Sequence, residues 1–85
     1  LMDTALEPAE VEALRATVHA VLPPGTTIAA LRTRKSGARR FVEFKLRVPG
    51  AQSVADAHAL CDRLEDAIEA RLARSVVTIH VEPAE

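Results

Sequence analysis

The sequence predicts an α+β domain: a two-layer αββαβ sandwich in which a three-stranded sheet carries two helices on one face. Three observations support this class. Two segments repeat apolar residues every three or four positions, as amphipathic helices do, and three segments alternate apolar and polar residues, as half-buried strands do. The segments follow one another as helix, strand, strand, helix, strand. Each strand has one apolar face to bury, and two helices on one side can cover it.

Composition limits the classes of function. The 85 residues are 48% apolar, enough for one small core, although only two residues are aromatic. The formal net charge of −1 argues against nucleic-acid binding by bulk charge. One cysteine provides no disulfide framework and fits a reducing, cytosolic setting. No apolar run is long enough to span a membrane, and the opening Leu-Met-Asp is not typical of a natural N-terminus, so we expect a domain of a larger protein.

The first three elements lie before residue 49. A helix is predicted from Pro8 to about Leu22, because proline suits a first helical turn and Pro-Pro-Gly follows. A strand is predicted near residues 26–34, "TTIAALRTR", and "KSGA" forms the turn after it. "RRFVEFKLRV" is the clearest strand, and Pro49 stops it. Its predicted core face consists of Val42, Phe44, Leu46 and Val48.

The last two elements are a long helix and a terminal strand. The helix runs from about Ser53 to Leu72, with Ser53 and Asp56 arranged like a capping box. Its predicted buried stripe is Val54, Ala57, Cys61, Leu64, Ile68 and Leu72. The strand "VVTIHVEP" follows. The whole order resembles a ferredoxin-like fold that lacks its first strand, and Lys45, His80 and Glu82 are expected on the uncovered side of the sheet.

Two groups of side chains carry ligand chemistry. His80 and Glu82 are neighbours on one face of the last strand, where they either bind a metal with help from elsewhere or form a solvated polar face. On the second helix, four potential ligands share one side, at spacings i, i+3, i+4 and i+7. They are His58, Cys61, Asp62 and Glu65. Cys61 also lies on the apolar stripe, where a thiol behaves as a small hydrophobe.

The stretch 32–47 is strongly basic. It holds seven of the eleven lysines and arginines, with Glu43 as its only acid. It forms either a solvated hairpin or a surface that contacts anionic lipid headgroups. A sheet that binds RNA would need exposed aromatic residues, for which Phe41 is the one candidate. No phosphate-binding loop, nucleophile–base pair or paired carboxylates occur, so we do not expect an enzyme.

Four segments together resemble one family. In order they are "LMDTALE", "LRTRKSGARRFVEFKL", "SVADAHALCDRLEDAI" and "VTIHVEP", and they cover nearly the whole chain. They are similar to the cytosolic C-terminal domain of the cation diffusion facilitator transporters, which export Zn(II) and similar ions. The resemblance implies a metallochaperone-like domain in residues 8–85, on the cytoplasmic side of the membrane. It implies that residues 1–7 link this domain to the last membrane helix.

The resemblance also implies a homodimer that tunes transport by binding a divalent metal, expected to be Zn(II), at its interface. His58 in "DAHAL" and His80 in "TIHVEP" fall on family ligand positions, and Glu82 falls where the family often has aspartate. Two positions that are often histidine hold Ala29 and Lys45 instead.

Two outcomes are therefore open. In one, His58, His80 and Glu82 form a weakened metal site, completed by water or by the second subunit. In the other, Lys45 pairs with Glu82 and replaces the charge of the metal in a metal-independent structural dimer. Because a histidine binds metal as a neutral imidazole, affinity in the first case should fall below roughly pH 6.5.

Overall fold

The computed structural model describes residues 3–85 and confirms the predicted fold class. The elements are α1 (Pro8–Val21), β1 (Thr27–Ser36), β2 (Arg39–Val48), α2 (Val54–Arg71) and β3 (Ser75–Pro83). The first two residues of the predicted 1–7 linker lie outside the described part. Within residues 3–85, no helix is both long and apolar enough to cross a membrane.

The sheet has the order β1-β2-β3, so β2 is central. The β1–β2 hairpin is antiparallel and turns through Gly37, whose φ of 60° favours glycine. The β2–β3 pair is parallel, because α2 carries the chain back along the sheet between the two strands. Residues before α1 also pack on the sheet: Thr4 forms an isolated bridge with Lys35, and Leu6 is buried in the core.

The helices begin where their local chemistry predicts. Pro8 occupies the first turn of α1, and the Ser53 hydroxyl accepts a hydrogen bond from the backbone N–H of Asp56, 3.0 Å away, at the start of α2. Backbone N–H groups in the first turn of a helix have no partner within the helix. The Ser53 hydroxyl gives one such group a partner in α2, and the proline ring removes one from α1.

The core lies between the helices and one face of the sheet. All four predicted core residues of β2 are buried. The stripe predicted for α2 needs a correction at Val54, which is 87% exposed, and it lacked Leu60, which is 1% exposed. Cys61 is half-buried and packs against the core, as predicted. The helix is rotated so that Leu60 joins the core. Val54 borders an open groove beside β3, and one side of Cys61 lines the same groove.

β1 contains a bulge opposite Phe44. The pairing runs regularly to Ala29 with Lys45 and resumes at Arg32 with Glu43, so two residues of β1 oppose one of β2. Ala30, the first of the two, has a φ of 55°, a left-handed conformation that costs an L-residue free energy. The extra residue shifts the alternation of β1 by one position, so that Arg32, which pairs with Glu43, lies on the side of the sheet that faces away from the helices.

Candidate metal site on the open sheet face

We call the side of the sheet that faces away from the helices the open face. Lys45 and His80 are directly paired across β2 and β3, and Ala29 is paired with Lys45 across β1. The three positions therefore form one row across the sheet. The row contains one imidazole, one ammonium and one methyl group, so it supplies a single metal ligand.

His80 has a close carboxylate neighbour that sequence reasoning missed. Its Nε2 lies 3.1 Å from Oε2 of Glu43, and both side chains are about half exposed. Glu43 is paired with Thr78, one row away on the same face. The parallel register of β2 with β3 sets this contact, and alternation within each strand does not reveal that register. Glu43 adds a carboxylate to the donors around His80.

Glu82 is engaged by an arginine. Arg47 Nε donates a hydrogen bond to Glu82 Oε1 at 2.8 Å, between residues that are paired across β2 and β3. This bond, helped by the positive charges of Lys45 and Arg47, holds the pKa of Glu82 below its ordinary value of 4.5. In the metal-independent alternative, Lys45 was the expected partner of Glu82. In residues 3–85 the direct partner is Arg47, and Lys45 acts on Glu82 through its charge.

His58 lies on the other side of β3. It lines a groove between α2 and β3, together with Ile79 and Val81, whose side chains point away from the open face. Its Nδ1 is 3.4 Å from Oδ2 of Asp62, and its side chain is 75% exposed. One chain therefore does not bring His58 and His80 together, although both are accessible to a second molecule.

The ligand row predicted on α2 does not form a cluster. Burial, together with the nearby charges of Glu65 and Asp62, raises the pKa of the Cys61 thiol, which disfavours the thiolate that metals bind. Across residues 3–85, no three histidine, cysteine, aspartate or glutamate side chains converge into a group able to hold a metal ion. A single subunit thus offers at most part of a coordination shell.

The donor chemistry on the open face nevertheless suits a divalent ion. His80, Glu43 and Glu82 provide imidazole and carboxylate groups, which zinc accepts, and all of them are reachable from solvent. Lys45 and Arg47 oppose this charge. The residues present therefore supply part of a coordination shell for such an ion, and further donors would have to complete it.

Fold and site together define an αββαβ domain with histidine and carboxylate donors on an open sheet face, and comparison with known proteins gives its family. The chain belongs to the family described as cation efflux protein, cytoplasmic domain, whose model matches residues 6–84. This confirms the resemblance drawn from the four sequence segments. It places the chain with the cytoplasmic parts of cation efflux transporters.

Individual relatives support the same family assignment. The cation-efflux pump FieF of Pectobacterium atrosepticum is 37% identical over 98% of this chain. A structure of the transporter CzrB in its Zn form superposes with a TM-score of 0.86 at 42% identity, covering 98% of this chain and 94% of that one. The metal-bound C-terminal domain of the CzcD transporter from Thermotoga maritima superposes with a TM-score of 0.73 at 32% identity, covering 92% and 94% of the two chains. The present chain spans 27% of the length of the first curated relatives that it matches.

Proposed function

We propose that this chain is the regulatory and dimerisation domain of a divalent-cation efflux transporter, and that it binds Zn(II) between two subunits. The observation that carries the proposal is the 3.1 Å contact between His80 Nε2 and the Glu43 carboxylate on the open face, beside a pocket that Glu82 also lines. The Zn form of CzrB, with the same fold at 42% identity, supports zinc as the ion. Residues 1–7 would link the domain to the membrane part.

The site requires a second copy because one chain lacks ligands. His80, Glu43 and Glu82 of one subunit would hold the ion, and His58 of the other subunit would complete its shell. His58 is well placed for this role, since its side chain is largely exposed and its ion-pair partner among residues 3–85 is Asp62 on its own helix. Bound zinc would supply a positive charge shared between the subunits, drawing the two domains together.

Two contacts must loosen for the metal to bind. The Glu43–His80 contact must release any proton that it holds, and Glu82 must give up at least part of its bond to Arg47. Lys45 stays nearby as an uncompensated cation. Each effect lowers the affinity, so the domain would respond to a higher free metal concentration than a site with a full set of histidines.

A second function is favoured by the Arg47–Glu82 pair. If arginine and lysine already neutralise the carboxylates, the dimer needs no ion and the domain is a metal-independent structural module. This reading predicts a dimer that persists in chelator and dissociates in the Lys45→Glu variant, as sedimentation velocity would measure. Monomers in chelator that associate when Zn(II) is added would contradict it.

Calorimetric titration with Zn(II) tests the metal site directly. We expect the parent chain to bind and His80→Ala to bind at least about tenfold more weakly, since even outer-shell losses at metal sites cost this much. His19→Ala is the matched control, because His19 is an exposed histidine on α1, outside the site. Absence of heat in the parent, or equal affinity in all three proteins, would contradict the assignment.

A further inference from the structure

Basic residues collect at one end of the molecule. The turn between β1 and β2 lies at this end, and β3 starts beside it, because Ser75 pairs with Arg40 and the carbonyl of Arg74 accepts a hydrogen bond from the Arg40 amide. We call this the basic end. It is formed by Arg34, Lys35, Arg39, Arg40 and Arg74.

Only part of this charge is neutralised internally. Arg40 Nε lies 2.6 Å from a carboxylate oxygen of Glu10, in a pair that is mostly shielded from solvent. Arg34 contacts Asp3 at 3.2 Å, and both of those side chains are half exposed. Arg39 and Arg74 are exposed and, within residues 3–85, have no carboxylate partner within 4.0 Å.

The opposite end of the molecule is more acidic. There β2 and β3 finish and α2 begins, and the carboxylates of Glu82, Glu85 and Asp56 lie at this end with Arg47, which is bonded to Glu82. Glu85 accepts a hydrogen bond from the Gly50 amide, and Asp56 lies in the first turn of α2. The strands run between the basic end and this more acidic one, in a molecule that measures 42 Å along its long axis against 20 and 19 Å. An anionic plane would attract the first end and repel the second.

The start of the described chain lies at the basic end. Thr4 and Lys35 exchange two backbone hydrogen bonds of 2.8 Å each, and Asp3 contacts Arg34. The solved CzcD relative is a C-terminal domain of its transporter, so a membrane part that precedes such a domain would enter here. This step rests on the proposed function, under which the basic end is the one nearest the bilayer.

We propose that the basic end binds anionic phospholipid headgroups and holds the domain upright against the membrane. Lysines and arginines near an anionic surface each add to the attraction, which decays within a Debye length. A nucleic acid is a poorer occupant of this surface. The aromatic ring that could stack with a base, Phe41, is covered by the Arg34 guanidinium, 3.9 Å from the ring centroid.

Cosedimentation with vesicles tests the proposal. The protein is mixed, in chelator and at low salt, with phosphatidylcholine vesicles that contain or lack about one-third phosphatidylglycerol. We expect binding only to the anionic vesicles, with release at high salt. Each removed cation should weaken binding by about fivefold, so Arg39→Glu/Arg74→Glu should bind at least about 25-fold more weakly.

The control variant has the same change in net charge, at a part of the surface away from the basic end. Arg15→Glu/Arg63→Glu reverses two exposed arginines on the middle of α1 and α2, and it should retain most of the binding. Amide NMR of the unmutated protein with anionic vesicles supplies a readout that does not depend on the variants. Signals of residues 3–7, 34–40 and 73–75 should broaden, and those of residues 49–52 should not.

Three results would overturn the proposal: no binding to anionic vesicles, equal loss in the two double variants, or broadening centred on residues 49–52. Strong binding to single-stranded RNA without vesicle binding would also overturn it, in favour of a nucleic-acid partner. The test is independent of the metal site. Because chelator is present and His80 is unchanged, a failure to bind vesicles would not affect the outcome of the zinc titration.

Discussion

Lys45 is the side chain on the open face that most directly opposes the proposed metal site. It is the direct cross-strand partner of His80, and its charge also helps to lower the pKa of Glu82. An ammonium at this position repels a divalent ion and contributes no lone pair. The same row contains Ala29 on the far side of Lys45, so neither of the other two positions in the row can act as a ligand.

Replacing Lys45 with histidine should restore a ligand and remove a repulsive charge at once. We expect Lys45→His to bind Zn(II) at least about tenfold more tightly than the parent, in the same calorimetric titration. Lys45→Gln separates the two effects, because it removes the charge without adding an imidazole. Equal affinity of the histidine and parent proteins would show that the metal, if bound, lies away from this row.

The residues that sequence reasoning identified on the open face are in place, but their partners were not foreseen. Alternation within single strands is enough to put Lys45, His80 and Glu82 on one face. The Glu43–His80 and Arg47–Glu82 contacts depend on the register between β2 and β3, which are separated in sequence by all of α2. Long-range register of this kind leaves no local signal in the chain.

At the level of the elements, the bulge in β1 contains Ala30, one of two non-glycine residues with a positive φ in the described part of the chain. Ala30 has a positive φ within the strand and borders the pocket that contains His80 and Lys45. The bulge leaves Ala29 and Arg32 both on the open face. The conformation is therefore part of how β1 contributes to the site, even though the residue that adopts it is not a glycine.

Glycine at position 30 should stabilise the domain. A left-handed alanine costs about 1–2 kcal/mol, which glycine would avoid. Glycine also gives the unfolded chain more conformational entropy, which cancels about 0.5–1 kcal/mol of this stabilisation. We therefore expect Ala30→Gly to raise the free energy of unfolding by roughly 0.5–1 kcal/mol, measured by urea denaturation.

The neighbouring alanine provides a control of opposite sign. Ala29 has no positive φ, so Ala29→Gly should lower the free energy of unfolding by about 0.5–1 kcal/mol. A loss of stability in both variants would mean that residue 30 does not hold the left-handed conformation in solution.

Element bounds were predicted closely, whereas the rotation of α2 was not. Proline, serine and glycine mark the starts and turns, so the predicted helices agree with the observed ones to within a residue or two at each end. The apolar residues of α2, however, cover more than one stripe. Periodicity alone could not decide between Val54 and Leu60, because the choice depends on where α1 and β3 lie beside the helix.

For the molecule as a whole, a single core of aliphatic side chains around Phe44 determines stability. Phe44 lies at the centre of β2, is fully buried and is the largest of the buried side chains. Val42, Leu46, Leu64 and Ile68 are buried in the same cluster, so the sheet and α2 share one core. The order of elements and the core face of β2 were enough to predict this layer. A small domain of this kind has a low free energy of unfolding.

The two phenylalanines permit a matched test of that view. Phe44→Ala should cost about 3–5 kcal/mol, a large share of the roughly 4–13 kcal/mol expected for a domain of this length. Phe41→Ala removes the same atoms from the open face, where the ring is only half-buried under Arg34, and it should cost well under half as much. Urea denaturation measures both. Similar losses in the two variants would mean that the open face is covered as thoroughly as the core, as it would be if the chain were already a tight dimer through this surface without metal.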